Sequence, residues 1–552
     1  MPERAKQAEK PEIVIGVVGA VGTDLDAVET ALKAALSEVG YESNPIRLIY
    51  ELRRIDKWRD LGRGFKDERY RACMDAGTEF REITGMGDAL AVLAIGAIRR
   101  ERKKRSDRDD ANEPIPSCAH VLHSLKTPQE VETLRKIYGP AFILVAAYSP
   151  AEIRVKNLAA GISESRKEFH TSKWRPKAEE LIQRDQRESD KKLGQHVRET
   201  FARADVFIDV SQPLAMQSSI QRFVRLLFGN TFETPTRDEY CMFHAKAAAL
   251  RSASLSRQVG AVIATVEGEI IAVGTNEVPK AGGGLYWAGD VPDNRDFVWG
   301  YDSSERMRRK LLGDVLNRLR SANWFVEDKV RKDVEELVTD ALEGPMKGAM
   351  IERNLLGDVL SRLRSANWFV EDKARKDVEE LVTDALEGPM KGAKIMDLIE
   401  FGRSVHAEMA AIVEAARHGA RVQGCTLYTT TFPCHDCAKH IVAAGVSRVV
   451  YIEPYPKSLT PELYPDSIAI DSAEKCGSFV QCEAFVGVAP PQYINLFTMS
   501  DRKDDKTGGV IPWDPHQAQP RVGVPPSYQE NEEYRFKKLL AKMQEKGFNF
   551  ID

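Results

Sequence analysis

The segments His406-Ala-Glu408 and Pro433-Cys434-His-Asp-Cys437 constrain this chain more than any other feature. One imidazole and two thiolates are donors of the kind that hold Zn²⁺ in a tetrahedron, and three protein ligands leave the fourth position for water. A site open in that way is catalytic, because a structural zinc knuckle closes with four Cys or His ligands. Zinc lowers the pKa of a bound water towards about 7, and Glu408, two residues from His406, is placed to move its proton, as a general acid/base and not a ligand. The pattern predicts a helix over 405–416, a strand over 427–430 and a helix over 434–443, with Cys434 and Cys437 on one helical face. His435, between the cysteines, is expected to face away from the metal.

The rest of the chain reads as an ordinary enzyme. Among 552 residues the net charge is −4, so bulk electrostatics do not demand a nucleic-acid partner. The apolar run Ala89 to Ile98 is far shorter than the ~20 residues that span a bilayer and predicts a buried helix or strand. The polar start, residues 1–12, lacks a signal-peptide core, which places the chain in the cytoplasm with no membrane contact. Cys73, Cys118, Cys241, Cys425, Cys476 and Cys482 show no disulfide-framework spacing and are expected to be free thiols.

From 11 to about 230, strands and helices alternate. Strands are expected at 12–18, 45–50, 118–122, 141–147 and 206–210, with helices at 24–39 and 127–137. The alternation argues for a parallel sheet with helices on its faces. The charged stretch 161–203 predicts mobile helices or a lid. The first strand runs into Gly16-Val-Val-Gly19-Ala-Val-Gly22-Thr23-Asp24, a turn that can wrap a phosphate with backbone N–H groups. It lacks the lysine of a phosphoryl-transfer loop, so kinase activity is not expected, and a tight turn capped by Thr23 or Asp24 reads equally well. The basic run Arg99 to Arg105 reads as a solvated helix end, with an RNA-contact surface as its alternative.

A break at Glu233-Thr-Pro-Thr236 opens a second region: a helix over 237–252, strands over 259–264 and 270–275, then Asn276. Between these and the zinc helices lies a tandem repeat. Residues 311–349 recur as 355–393, differing only at Asn317/Ser361 and Val330/Ala374. Such near-identity points to a recent duplication and not to a solenoid, so one copy is expected to suffice. Each copy predicts an amphipathic helical hairpin, in which Trp324 and Phe325, or Trp368 and Phe369, serve core or oligomer contacts.

Gln258-Val-Gly-Ala-Val-Ile263, Gly274-Thr-Asn276, His406-Ala-Glu408 and Pro433-Cys-His-Asp-Cys-Ala-Lys439 resemble the deoxycytidylate deaminases. With Leu122-His-Ser-Leu-Lys126 and Ala204-Asp-Val-Phe-Ile208 in the N-terminal half, the whole chain resembles the bacterial anti-phage dCTP deaminases. The resemblance implies an α/β fold in two parts. A tail at 1–10 precedes a P-loop-kinase-like parallel sheet with helices over 11–232. A cytidine-deaminase-like α/β/α sandwich covers 233–500, with a helical insert over 285–398, and 501–552 form an extension. It implies Zn²⁺ on His406, Cys434 and Cys437 and catalysis by Glu408, with free dCTP or dCMP as substrate and depletion of dCTP as the outcome. It further implies substrate contacts from Asn276, Tyr455 and Lys457, a regulatory nucleotide at Gly16, Gly19, Gly22 and Thr23, an inhibitory RNA and a homo-oligomer. Where many dCMP deaminases carry asparagine two residues after the glutamate, this chain has Ala410.

Three other functions remain open on the residues alone: a housekeeping dCMP deaminase, a deaminase of cytosine or adenine within RNA or single-stranded DNA, and a nucleic-acid sensor with a signalling zinc domain. A polymer-directed enzyme needs a basic groove with stacking aromatics, and none adjoins the motif. A pure binding module has no use for Glu408.

Overall fold

The computed structural model describes residues 10–186, 193–330, 334–343, 355–374, 376, 380–381, 384–385, 402–455, 458–471, 479–498, 501–523 and 525–550. Among them, contacts divide the chain into two compact units. The larger comprises Met1–Ala247, Ala261–Val273 and Ala411–Asp552; the smaller comprises Ala248–Gly260 and Gly274–Ala410.

The larger unit begins with strands β1 (Ile13–Val18), β2 (Glu42–Arg47), β3 (Cys118–His123), β4 (Phe142–Tyr148) and β5 (Val206–Asp209), in the order β5-β4-β1-β3-β2. All four pairings are parallel. A parallel sheet is covered on both faces and needs continuous apolar strands, which is why β1 reads Ile-Val-Ile-Gly-Val-Val and is buried at every position. Because β1 lies between β3 and β4, the turn that follows it opens at the switch point of the sheet, where ligands of such folds gather.

The second strand corrects the sequence reading. It covers 42–47, and Leu48-Ile-Tyr-Glu51 form a helical turn. Their apolar side chains imitate a strand, but Leu48 is buried from that turn. Ala89 to Ile98 belong to a buried helix, Ala89–Arg105, whose basic end is not simply solvated. Arg102 is fully buried there, paired with Glu12 at 2.8 Å and with Glu532 at 2.5 Å. Glu532 comes from the C-terminal helix Tyr528–Glu545, and a Cβ at Gly96 would meet the Phe536 ring, so glycine lets that ring pack close against the helix. In the charged stretch, helices Ala151–Ser165 and Arg175–Gln186 share an apolar cluster of Leu158, Ile162, Leu181 and Ile182 with Val21 of the glycine turn.

Strands β6 (Gly260–Ala264), β7 (Ile270–Thr275), β8 (Thr426–Thr431), β9 (Arg448–Glu453), β10 (Ile468–Ile470) and β11 (Val480–Ala484) form the second sheet, in the order β10-β11-β9-β8-β6-β7. β8, β9, β11 and β10 run parallel, and β6 joins β8 antiparallel. A last short strand, β12 (Gly487–Val488), pairs with β5, so the chain leaves the second sheet to complete the first.

In the smaller unit the two copies of the repeat pack on each other. Helices Ser303–Ser321 and Val334–Glu343 hold the first copy, and Leu355–Ser365 begins the second. The Val326 N–H donates to the Trp368 carbonyl at 3.0 Å, and the Val370 N–H donates to the Trp324 carbonyl at 2.9 Å. Lys329 covers the Trp368 ring and Lys373 the Trp324 ring, at 4.4 and 4.5 Å. One apolar core joins Leu312, Leu316, Leu319 and Leu337 to Leu360, Leu363 and Leu381. Each copy thus buries the other's apolar face.

Among the described residues no helix is long and apolar enough to cross a membrane. Cys73, Cys118, Cys241, Cys425 and Cys482 are free thiols, and Cys476 lies outside the described residues.

Candidate active site

Both ligand-bearing segments end at the start of a helix. The Ala410 N–H donates to the His406 carbonyl at 2.8 Å, the first bond of helix Ala407–Arg417. Cys434 has an extended backbone, φ −71° and ψ 166°, and caps helix His435–Ala443, with the Ala438 N–H on its carbonyl at 2.9 Å. Cys434 therefore sits at a helix N-terminus, whose positive end favours the thiolate form a metal requires.

The ligand atoms of His406, Cys434 and Cys437 all lie within 4.8 Å of one another. That spacing and one-N, two-S chemistry fit a single Zn²⁺, whose Zn–S and Zn–N bonds are about 2.3 and 2.0 Å. Cys437 is fully buried and Glu408 is 4% exposed. Asp436 and His435 are not in the cluster, and His435 Nδ1 is a buried atom with no hydrogen-bond partner among the described residues.

The segment leading into Cys434 is held by burial, hydrogen bonds and a ring contact. β8 is buried along all six residues and runs straight into Phe432-Pro433-Cys434. The Phe432 N–H donates to the Glu453 carbonyl at 2.8 Å, its ring meets Tyr451 edge-on at 4.9 Å, and the Ser458 hydroxyl donates to the Pro433 carbonyl at 2.8 Å. At the far end Arg448 forks onto Asp238, both bonds 2.8 Å, and Tyr428 donates to the same carboxylate at 2.7 Å. Burial alone would raise the Asp238 pKa, but the Arg448 bonds and charge hold it below the usual carboxylate range.

The segment before His406 is held by residues the sequence reading missed. The Glu277 carbonyl accepts from the Val405 N–H at 3.0 Å, and its buried carboxylate accepts from Ala253 and Val278 N–H groups, both at 2.9 Å. Arg403 donates to Asp296 at 2.8 Å and stacks on Trp299 at 3.4 Å. No motif marks Glu277 or Arg403, because their partners are set by folding. Asn276 has its amide fixed within the fold: Oδ1 accepts from Val259 N–H at 2.7 Å and Nδ2 donates to the Arg257 carbonyl at 2.8 Å. Tyr455 is half-buried, and Lys457 lies outside the described residues.

A second group, Asp26, Glu29 and His123, brings ligand atoms equally close. Arg47 lies against both carboxylates, 2.5 Å from Asp26 and 3.6 Å from Glu29, so a guanidinium already balances their charge.

Residues 235–453 match the family described as the cytidine and deoxycytidylate deaminase zinc-binding region. The deoxycytidylate deaminase of Enterobacteria phage T2 is 48% identical over 54 residues, 10% of this chain and 29% of that protein. ComE operon protein 2 of Bacillus subtilis is 42% identical over 53 residues, 10% of this chain and 28% of that protein. The chain thus spans less than a third of the length of these curated relatives. A crystal structure of the dCMP deaminase from cyanophage S-TIM5, in complex with dCMP and dUMP, covers 46% of this chain and 98% of its own, at 16% identity and a TM-score of 0.21.

Proposed function

We propose that this chain deaminates free deoxycytidine nucleotides, converting dCMP, dCTP or both to their uracil forms. The observation that carries this reading is the convergence of His406, Cys434 and Cys437 within 4.8 Å, inside the span that matches the deaminase zinc-binding region. Zinc, when bound, supplies Lewis-acid activation of a water molecule at neutral pH. Glu408 takes one proton from the attacking water and delivers it to the cytosine ring nitrogen, then takes the remaining hydroxyl proton at the attacked carbon and delivers it to the amino group, so that ammonia leaves and C–NH2 becomes C=O. Its burial keeps that proton from exchanging with bulk solvent. Asn276, fixed by two backbone bonds, keeps one amide N–H and one acceptor lone pair to orient the sugar, and Tyr455 and Lys457 are proposed at the phosphate end.

The N-terminal sheet is proposed as a P-loop-like regulatory domain that takes a nucleotide at Gly16, Gly19, Gly22 and Thr23. The position of that turn at the switch point of a parallel sheet supports it. Dedication to anti-phage defence through dCTP depletion, restraint by RNA, cytoplasmic location and homo-oligomeric assembly rest on the resemblance of the two-part chain. The test is incubation of zinc-loaded protein with dCMP, dCTP, CMP, CTP, adenine nucleotides and single-stranded DNA or RNA, with products resolved by mass. Uracil products from the free deoxycytidine nucleotides alone are expected. Conversion only within a strand would replace this reading with a polymer-directed deaminase.

A further inference from the structure

The glycine turn after β1 already holds an anion, and it belongs to the chain. Asp185, on the last turn of helix Arg175–Gln186, is fully buried, and its Oδ2 accepts from the Val21 N–H at 2.7 Å. Lys126, a few residues beyond β3, donates to both oxygens of that carboxylate at 2.9 and 3.2 Å and to the Gly19 carbonyl at 3.3 Å. A backbone N–H of a glycine turn and a lysine ammonium on the same oxygens form the donor set that recognises a phosphoryl group. The cation missing from the turn's own sequence is thus supplied from the next strand in space.

Two more observations point to a ligand there. Arg154 is 8% exposed and its Nη1 has no hydrogen-bond partner among the described residues, although its Nε donates to the Ser149 carbonyl at 3.0 Å. It backs directly onto the turn, since a Cβ at Gly22 would lie 2.5 Å from the Arg154 carbonyl oxygen. The Thr23 and Ser124 hydroxyl oxygens are likewise buried without partners among the described residues. Asp185 and Asp471 are the acidic groups that act on Arg154, and Asp471 is pushed above its ordinary range by burial. Lys126 is paired with the Asp185 carboxylate and Arg154 lies within its field, and buried donors such as Arg154 Nη1 that lack partners among the described residues carry a cost that a larger anion with more oxygens removes. Asp185 is also borne on a peripheral helix packed in a small cluster outside the sheet core, the class of element that opens locally most readily.

We propose that Asp185 is a resident stand-in for phosphate, and that a phosphoryl group of a nucleoside triphosphate or free polyphosphate displaces it onto Lys126, Arg154 and the turn. This rests on the reading of the turn as a nucleotide-binding element. It adds that the site is closed by the chain's own carboxylate, so that ligand binding and release of the Arg175–Gln186 helix are one event.

The test is calorimetric titration of the zinc-loaded full chain with tripolyphosphate, and separately with dCTP, dTTP and ATP, for the wild type, Asp185→Asn, Lys126→Met and the double variant. Asparagine keeps the acceptor for Val21 while removing the charge. Asp185→Asn is expected to bind tripolyphosphate at least tenfold more tightly than wild type, and Lys126→Met to remove that gain. Tighter binding of nucleotides than of tripolyphosphate identifies the nucleoside triphosphate as the source, and equal binding identifies polyphosphate. Equal affinity of wild type and Asp185→Asn, both weakened by Lys126→Met, leaves the anion cradle standing and overturns the role of Asp185. Binding that is indifferent to Lys126→Met overturns the cradle as well. Amide hydrogen exchange on the wild type gives the answer without a variant: tripolyphosphate should speed exchange across Arg175–Gln186, and binding without that change refutes the displacement.

Discussion

Trp324 meets Phe369 edge-on with ring centroids 6.0 Å apart, and the corresponding pair across the repeat, Phe325 and Trp368, meets in the same way at 5.9 Å. The copies are related as two subunits of a small symmetric dimer would be, each covering the other's apolar face.

Removal of residues 311–354 therefore takes away a partner and not a spare. The remaining hairpin would expose Trp368, Phe369, Leu360 and Leu363, all now buried, an apolar patch of the kind that drives association. The expected outcome is a deletion variant that retains zinc but self-associates through that face, seen as a doubled mass by light scattering. A variant that stays at the wild-type assembly state with unchanged thermal stability would show that one copy suffices.

Glu408→Ala should keep zinc at the wild-type content and lose deamination by about 100-fold or more, the contribution of a positioned acid/base. His406→Ala, Cys434→Ala and Cys437→Ala should instead lose the metal and with it local stability, because ligand bonds form only in the folded chain. Elemental analysis beside the turnover assay separates the two classes. Near-normal turnover in Glu408→Ala with bound zinc would remove the glutamate from the chemistry.

The cluster of His406, Cys434 and Cys437 was legible because these residues lie on two helix starts joined by one strand, so short-range periodicity positions them. Partners that meet only on folding left no such trace. Lys126 and Asp185 are 59 residues apart, and Arg102 is 430 residues from Glu532, so a buried arginine inside a basic run looked like any solvated one. Leu48 to Glu51 misled for a different reason. A short apolar run has no period of its own, and only the end of the β2–β3 pairing at Arg47 and His123 shows that the strand stops there.

The Glu12–Arg102–Glu532 group ties the start of the chain to its C-terminal helix and should govern acid stability. Burial alone would push the Glu12 carboxyl up, but the hydrogen bond and charge of His120 and the charge of Arg102 bring it down to about 2 from an ordinary value of 4.5. A depressed folded pKa means that its stabilisation is complete above 4.5 and is lost as pH falls towards about 2. Denaturant titrations between pH 6 and pH 2 should show that loss, and Glu12→Gln should flatten it. At neutral pH, Glu532→Ala should cost about 3–5 kcal/mol by leaving Arg102 buried without its main partner. An acid profile identical in wild type and Glu12→Gln would mean that other carboxylates set the transition.

Asn276 offers a separable test, because its two backbone bonds and its proposed sugar contact use different lone pairs and protons of one amide. Asn276→Ala should leave the buried Val259 N–H without its acceptor, at about 1–3 kcal/mol of stability. It should also raise KM for deoxycytidine nucleotides more than it lowers kcat, since a group that orients the sugar acts on the bound ground state and transition state alike. Asn276→Asp keeps the acceptor for Val259 but sets an anionic oxygen against the Arg257 carbonyl, so it should disturb the Arg257–Val259 segment while retaining the Val259 bond. Zinc content should stay at the wild-type level in both variants, because neither touches His406, Cys434 or Cys437. A loss of stability with KM and kcat unchanged would confine Asn276 to holding the turn after β7, and the sugar contact would have to come from elsewhere in the site.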